Sequence, residues 1–315
     1  MSAAFDIVAL GELLIDFTDR GMSDSGMQLF ERNPGGAPAN VLAAAARLGE
    51  RTAFIGKVGD DMHGRFLRDT LAAAGIDTSG LLLAPDVFTT VALDSGGERH
   101  FSFARKPGAD TCLRPDELDM PLLRSTRVLH VGSLSLTDEP ARSATLAAVR
   151  AARQAGAIIS YDPNYRAALW PDEATAAAQM RTLLPLADVV KLSDEETALL
   201  TDAAEPAEAA RRLLAQGVSC AAVTLGEKGA LVVVRDGMQI VPAFPSDPVD
   251  TTGAGDSFWG GFLHRMLALN KQPAALTVSD AADCARWGNA VAACCITRRG
   301  AIPAMPSPQE VLALL

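Results

Sequence analysis

Short apolar runs alternate with Ala/Leu-rich runs along most of the chain. Phe5–Leu10, Arg51–Val58, Val128–Gly132, Ala157–Tyr161, Val189–Leu192 and Ala221–Leu225 predict buried strands. Ala39–Leu48, the stretch near His63–Ala74, and residues 140–155, 172–186 and 205–216 predict the helices between them. This alternation predicts an α/β fold, a largely parallel sheet with helices on both faces.

Two stretches break the pattern. Leu13–Phe30 and Phe88–Phe103 alternate apolar and polar residues around Gly-Gly or Ser-Gly turns, which is hairpin material. They predict a small sheet outside the main one, able to cover a site, the alternative being an edge extension of the main sheet. No linker or internal repeat divides residues 1–315, so one domain is expected, with a lid from about 13–30 and 88–103.

Composition narrows the class. A hydrophobic content of 49% and a mean hydropathy of +0.15 supply a sizeable core. Net charge is −10, which disfavours nucleic acid or an anionic membrane as a partner. No apolar run approaches the ~20 residues of a membrane span. The start, Met-Ser-Ala-Ala-Phe-Asp, lacks a basic region, so no signal peptide is expected. Five cysteines without a Cys-x-x-Cys pair suit reduced thiols in a cytoplasmic protein, and four scattered histidines disfavour zinc.

The chemistry concentrates in Asp250-Thr-Thr-Gly-Ala-Gly-Asp-Ser-Phe258, followed by a helical run. Gly253 and Gly255 let several N–H groups point into one space at a helix N-terminus, which suits phosphate. A carboxylate there would repel an anion, but makes sense if Asp256 takes a proton from an attacking hydroxyl. A glycine-rich turn with an acid in the first helical turn is the plainer alternative.

A second cluster, Asn33-Pro-Gly-Gly-Ala-Pro-Ala-Asn40, precedes a helix. Gly35 and Gly36 would let backbone approach a ligand, and Asn40 can meet a sugar hydroxyl as donor or acceptor. Pro38 in a first helical turn explains the same composition without a ligand. Asp16 is either a polyol-binding carboxylate at the start of the lid or a surface acid. Asp162, Asn164 and Arg166 follow one strand, and Lys191-Leu-Ser-Asp-Glu-Glu196 follows another, where ligands of open parallel sheets bind. Ser193 and Glu196 also fit a capping box. Thr224-Leu-Gly-Glu-Lys-Gly229 lacks the Gly-Lys-Ser/Thr ending of a Walker loop, and no Gly-x-Gly-x-x-Gly follows the first strand.

Together, these motifs resemble the ribokinase-like (PfkB) family of carbohydrate kinases nearly end to end. Gly35-Gly-Ala-Pro-Ala-Asn40 continued to Gly64 resembles its N-terminal signature, and Asp250–Asp256 its C-terminal one. Within the family the chain is most similar to fructokinases, through Gly-Glu-Leu-Leu-Ile-Asp-Phe, Phe-Ile-Gly-Lys-Val-Gly, Ser-Tyr-Asp-Pro-Asn-Tyr-Arg and Gly-Ala-Ile-Pro-Ala.

The resemblance implies a three-layer α/β/α fold with a β-sheet lid, often used for dimerisation, and ATP- and Mg²⁺-dependent phosphorylation of a sugar hydroxyl. It implies Asp256 as base, the backbone of Gly253, Ala254, Gly255 and Asp256 as anion hole, and Arg166 near the reacting groups. Asp16, Gly35, Gly36, Asn40 and Arg105 would hold the sugar, with Phe103 beside it. Thr224, Gly226 and Gly229 would border the nucleotide, Asn289 the adenine, and Glu196 would influence Mg²⁺ through water. Asp250 and Thr252, with backbone of Cys295, Arg298 and Gly300, match a monovalent-cation (K⁺) site. Ala304 stands where ribokinase supplies a serine, one side-chain ligand fewer. A kinase for 2-keto-3-deoxygluconate or an aminoimidazole riboside, and a non-catalytic sugar- or nucleotide-binding protein, are the competing expectations.

Overall fold

In the first strand Ile7 and Ala9 enter one apolar core while Val8 and Leu10 enter another. Successive side chains leave a strand on opposite faces, so a strand buried on both must be covered on both. The split recurs at Cys220 and Ala222 against Ala221 and Val223. The structure, a computed structural model, describes residues 3–94, 101–105 and 107–315.

Strands β1 (Phe5–Leu10), β2 (Leu14–Met22) and β3 (Gln28–Gly35) precede helix α1 (Ala37–Arg47), and β4 (Thr52–Gly59) precedes α2 (Met62–Ala73). Short strands β5 (Ile76–Asp77), β6 (Leu81–Ala84), β7 (Val91–Asp94) and β8 (Phe101–Ala104) lead to α3 (Met120–Arg124). Alternation then sets in with β9 (Thr126–Val131), α4 (Ala141–Gln154), β10 (Ile158–Tyr161), α5 (Glu173–Arg181) and β11 (Val189–Ser193). Helices α6 (Thr197–Thr201) and α7 (Pro206–Ala215) follow, then β12 (Cys220–Thr224) and the hairpin β13 (Ala230–Val234) and β14 (Gly237–Val241). The chain closes with α8 (Ala254–Leu269), α9 (Val278–Cys295) and α10 (Pro308–Leu312).

Among the described residues the main sheet runs β14-β13-β12-β11-β10-β9-β1-β4-β5, with β6 beside β4. It is parallel from β12 to β5, and only β13 and β14 pair antiparallel. One core lies under α1, α8 and α9, the other under α4, α5 and α7. The hairpin segments form a separate sheet, β3-β2-β7-β8, rather than an edge extension. Strand β3 runs past Phe30 to Gly35, so the second glycine cluster begins inside this sheet. The turn expected at residues 95–100 lies outside the described residues.

Two other expectations shift. The helix expected over 172–186 ends at Arg181, before a short 3₁₀ turn at Leu184–Leu186. Pro185 lacks an amide and would clash with the preceding turn. The edge hairpin β13–β14 adds to the strands expected from the apolar runs; Met238 and Ile240 are exposed on it.

Helix α8 packs on α1 through Gly260, where a Cβ would lie 2.7 Å from the Val41 carbonyl oxygen. That close approach carries the start of α8 against the start of α1, and so two sequence-distant motifs into one site.

Candidate active site

A cleft of about 1100 Å³ lies at the carboxyl ends of the parallel strands, beneath the small sheet. It is large for a single small ligand and has room for two in line. Leu14, Asp16 and Phe103 line it from the small sheet, and Gly36 and Asn40 from the start of α1. Thr224, Gly226 and Gly229 line the far side, and the segment Thr252 to Asp256 lies between.

Gly253 is the N-cap of α8 with φ 75°, a left-handed conformation that glycine adopts without steric cost. No side chain caps this helix among the described residues; the Ala254 amide donates to the Thr251 carbonyl at 3.1 Å, so the Gly255 and Asp256 amides and the positive dipole end are what the first turn offers a ligand. Asp256 occupies that first turn, buried, and accepts a hydrogen bond from Asn40 Nδ2 at 2.8 Å. Burial, then repulsion from Asp162, pushes its carboxyl up to about 6, against the attractions of Lys191, Asn40 and Arg166. Such a group is ionised at neutral pH, yet more basic than an exposed aspartate, as proton abstraction requires.

Beside it, Lys191 Nζ donates to Asp162 Oδ2 at 2.8 Å in a buried pair. Glu196 accepts from the amides of Tyr165 at 2.6 Å and Ser193 at 2.8 Å. The capping box therefore forms, with Glu196 also facing the cleft. Arg166 is exposed on the rim, its Nη1 donating to the Tyr165 carbonyl.

On the lid side, Gly36 has φ 123°, and a Cβ there would collide with the Glu12 carbonyl oxygen. Glu12 Oε1 accepts the Ala37 amide at 2.9 Å, and burial pushes its carboxyl up to about 7. Glu12 Oε2 and Asn40 Oδ1 are buried without a partner among the described residues. Unpaired buried acceptors cost stability and mark where a ligand's hydroxyls can donate. Gly35 packs against the Asp16 carboxylate instead of lining the cleft.

Arg105 departs most from expectation. It is buried, with Nε on Asp110 Oδ2 at 2.7 Å, Nη1 on Thr137 Oγ1 at 2.9 Å and Nη2 on the Leu134 carbonyl at 2.8 Å. It does not line the cleft; Leu134, which it holds, does.

At the far end Asn289 Nδ2 donates to the carbonyls of Val241 and Pro242, each at 3.0 Å, fixing the segment that brings Phe244 to the wall. Asp250 sits just outside the cleft and accepts from the amides of Thr252 and Gly300, both at 2.9 Å. It thereby ties the glycine motif to the Arg298–Gly300 loop.

Glu12 was not singled out from sequence, and Lys191 entered only as the first residue of the Lys191–Glu196 motif, without a role of its own. A lysine between Val190 and Leu192 in a strand with no exposed residue is the signal that could have found the second.

Residues 4–308 match the family model described as "pfkB family carbohydrate kinase". Probable fructokinase-4 of Arabidopsis thaliana is 43% identical, over 98% of this chain and 96% of that protein. The crystal structure of fructokinase with bound ATP from Xylella fastidiosa is 36% identical with a TM-score of 0.90, covering 98% of this chain and 97% of that one. Fructokinase from Vibrio cholerae O395 in its fructose-, ADP- and calcium-bound form is also 36% identical, with a TM-score of 0.87 and 99% of both chains covered.

Proposed function

This chain belongs to the pfkB family of carbohydrate kinases, and on that footing we propose that it transfers the terminal phosphoryl group of ATP to the 6-hydroxyl of D-fructose. The observation that carries the reading is the place of Asp256: buried, held by Asn40, and in the same cleft that the lid and the strand-end loops line. Fructose is preferred over other acceptors because the similar proteins over the full chain length include fructokinases, one seen with fructose and ADP.

The sugar lies against Asp16, Gly36 and Asn40, beside Phe103, with Glu12 Oε2 and Asn40 Oδ1 accepting hydroxyls. The nucleotide lies along Thr224, Gly226, Gly229 and the Phe244 wall, toward Asn289. Asp256 takes the 6-hydroxyl proton as that oxygen bonds to the γ-phosphorus and the bond to ADP breaks. Within the segment Gly253 to Asp256, the amides of Gly253, Gly255 and Asp256 receive the charge of the transferring group, that of Ala254 already donating to the Thr251 carbonyl. Arg105 shapes this site indirectly, through Leu134.

No group of three or more His, Cys, Asp or Glu suited to a metal occurs among the described residues. Mg²⁺ would be held chiefly by nucleotide phosphates and water. Both Glu196 oxygens already accept amides, so Glu196 would meet the ion through water. When bound, Mg²⁺ would offset phosphate charge. A monovalent cation would be held by the loop that Asp250 ties to Gly300.

Met22, Met27, Leu29 and Phe30 are exposed on the small sheet and the turn within it, at 68, 66, 45 and 42%. Leu29 and Phe30 are consecutive in β3 and so lie on opposite faces of it, which leaves apolar surface at the tip of the small sheet rather than on one side. Such a tip suits a second copy, and we read the enzyme as a lid-to-lid homodimer; sedimentation as a monomer at micromolar concentration would count against this. No helix among the described residues is long and apolar enough to cross a membrane. The free cysteines suit the cytoplasm.

ADP release with fructose, 2-keto-3-deoxygluconate, aminoimidazole riboside and a panel of other sugars tests the assignment. Fructose should give the highest kcat/KM. A keto-acid or riboside preferred over it would overturn the substrate, and no acceptor-dependent ADP release would overturn the activity.

A further inference from the structure

Asp162 follows β10 directly, and Lys191 lies on the neighbouring β11, where Tyr161 pairs with Val190. The two charges are therefore cross-strand neighbours. Their side chains are 2% and 7% exposed. Val190 and Leu192 point into the core under α4 and α5, so the alternation turns Lys191 toward α8. Its ammonium reaches the glycine loop, where a Cβ on Gly255 would lie 3.0 Å from Nζ. A buried ion pair is often no more stabilising than apolar packing of the same volume, so stability alone gives little reason for one here.

We propose that Lys191, pinned by Asp162, is a positioning residue that keeps the Asp256 carboxylate ionised while a nucleotide brings further negative charge into the cleft. The inference rests on the reading of Asp256 as the base. The groups facing Asp256 are Asp162 after β10, Lys191 on β11, Asn40 on α1, Arg166 on the rim and Cys295 at the end of α9, with Glu196 acting on Lys191. Asp162 and Lys191 pull Asp256 in opposite directions, the first raising and the second lowering its proton affinity. Arg166 is exposed and screened by solvent, so Lys191 is the buried cation of this set. The Asp162 hydrogen bond prevents the ammonium from swinging onto the phosphates.

The test is the acid limb of kcat against pH, with ATP and fructose, in Lys191→Met, Lys191→Arg, Asp162→Asn and Asp162→Asn/Lys191→Met. Ionisation of ATP itself is common to all. Removing the cation should move the limb up by about one pH unit or more, a roughly tenfold loss of kcat below it. Asp162→Asn, which still offers Lys191 an acceptor, should move it down. The double variant should return close to wild type, and Lys191→Arg should hold the wild-type limb. A limb unmoved in Asp162→Asn, or displaced the same way in both single variants, overturns the proposal. Should Lys191→Met not fold, Asp162→Asn and the double variant carry the same test. Retention of activity in Asp256→Asn would instead sink the reading of the base, independently of Lys191.

Discussion

Replacing Asp256 by asparagine should separate catalysis from stability in opposite directions. Asparagine keeps the size of the side chain and can still accept from Asn40, but cannot take a proton. Loss of a general base costs about 10²- to 10⁴-fold in kcat. The carboxylate also burdens the fold, because its pKa rises from the ordinary 3.8 to about 6. That rise corresponds to about 3 kcal/mol against the folded state once the group is ionised. Below pH 3.8 both folded and unfolded chains hold the proton, and the burden vanishes. Between 3.8 and about 6 the unfolded chain releases it first, so this contribution to wild-type stability falls as pH rises, and it levels off above 6. Urea unfolding of both proteins at pH 4.5 and 7.5 should show the variant's relative stability growing by about 2 kcal/mol. Coupled ADP release under saturating substrates gives kcat. A variant with half the wild-type rate would refute the base, and a stability difference independent of pH would refute the burial argument.

Asp16→Ala should lower kcat/KM for fructose about 5- to 150-fold, the cost of leaving a sugar hydroxyl without its partner in the closed site, and leave the Kd of ATP nearly unchanged. A collapse of ATP binding would misplace the sugar. Arg105→Met should strand the Asp110 carboxylate in the interior and cost about 3–5 kcal/mol by urea denaturation. Undiminished stability with only a raised KM for fructose would mean that the guanidinium reaches the sugar instead.

The layered architecture was legible because burial on both faces writes itself locally: Phe5–Leu10 and Val189–Leu192 can hardly be anything but covered strands. The small sheet showed as alternation, and Asp256 stood out as a carboxylate at a glycine-rich helix start, where a proton-accepting base and a plain first-turn acid were the two readings. What the local pattern could not carry was partnership. Arg105 looks like a ligand-binding cation until the fold brings Asp110, Thr137 and Leu134 around it. Lys191 looks like a break in a strand until the register of β10 and β11 sets it beside Asp162 and the packing of α8 sets Gly255 over it. Even Asn40 and Asp256, each visible in its own motif, meet only because Gly260 lets α8 settle on α1. Periodicity reports whether a side chain is covered, since burial repeats with the element. The charge or hydrogen bond that meets it comes from a distant segment, and that is decided by the packing of the whole chain.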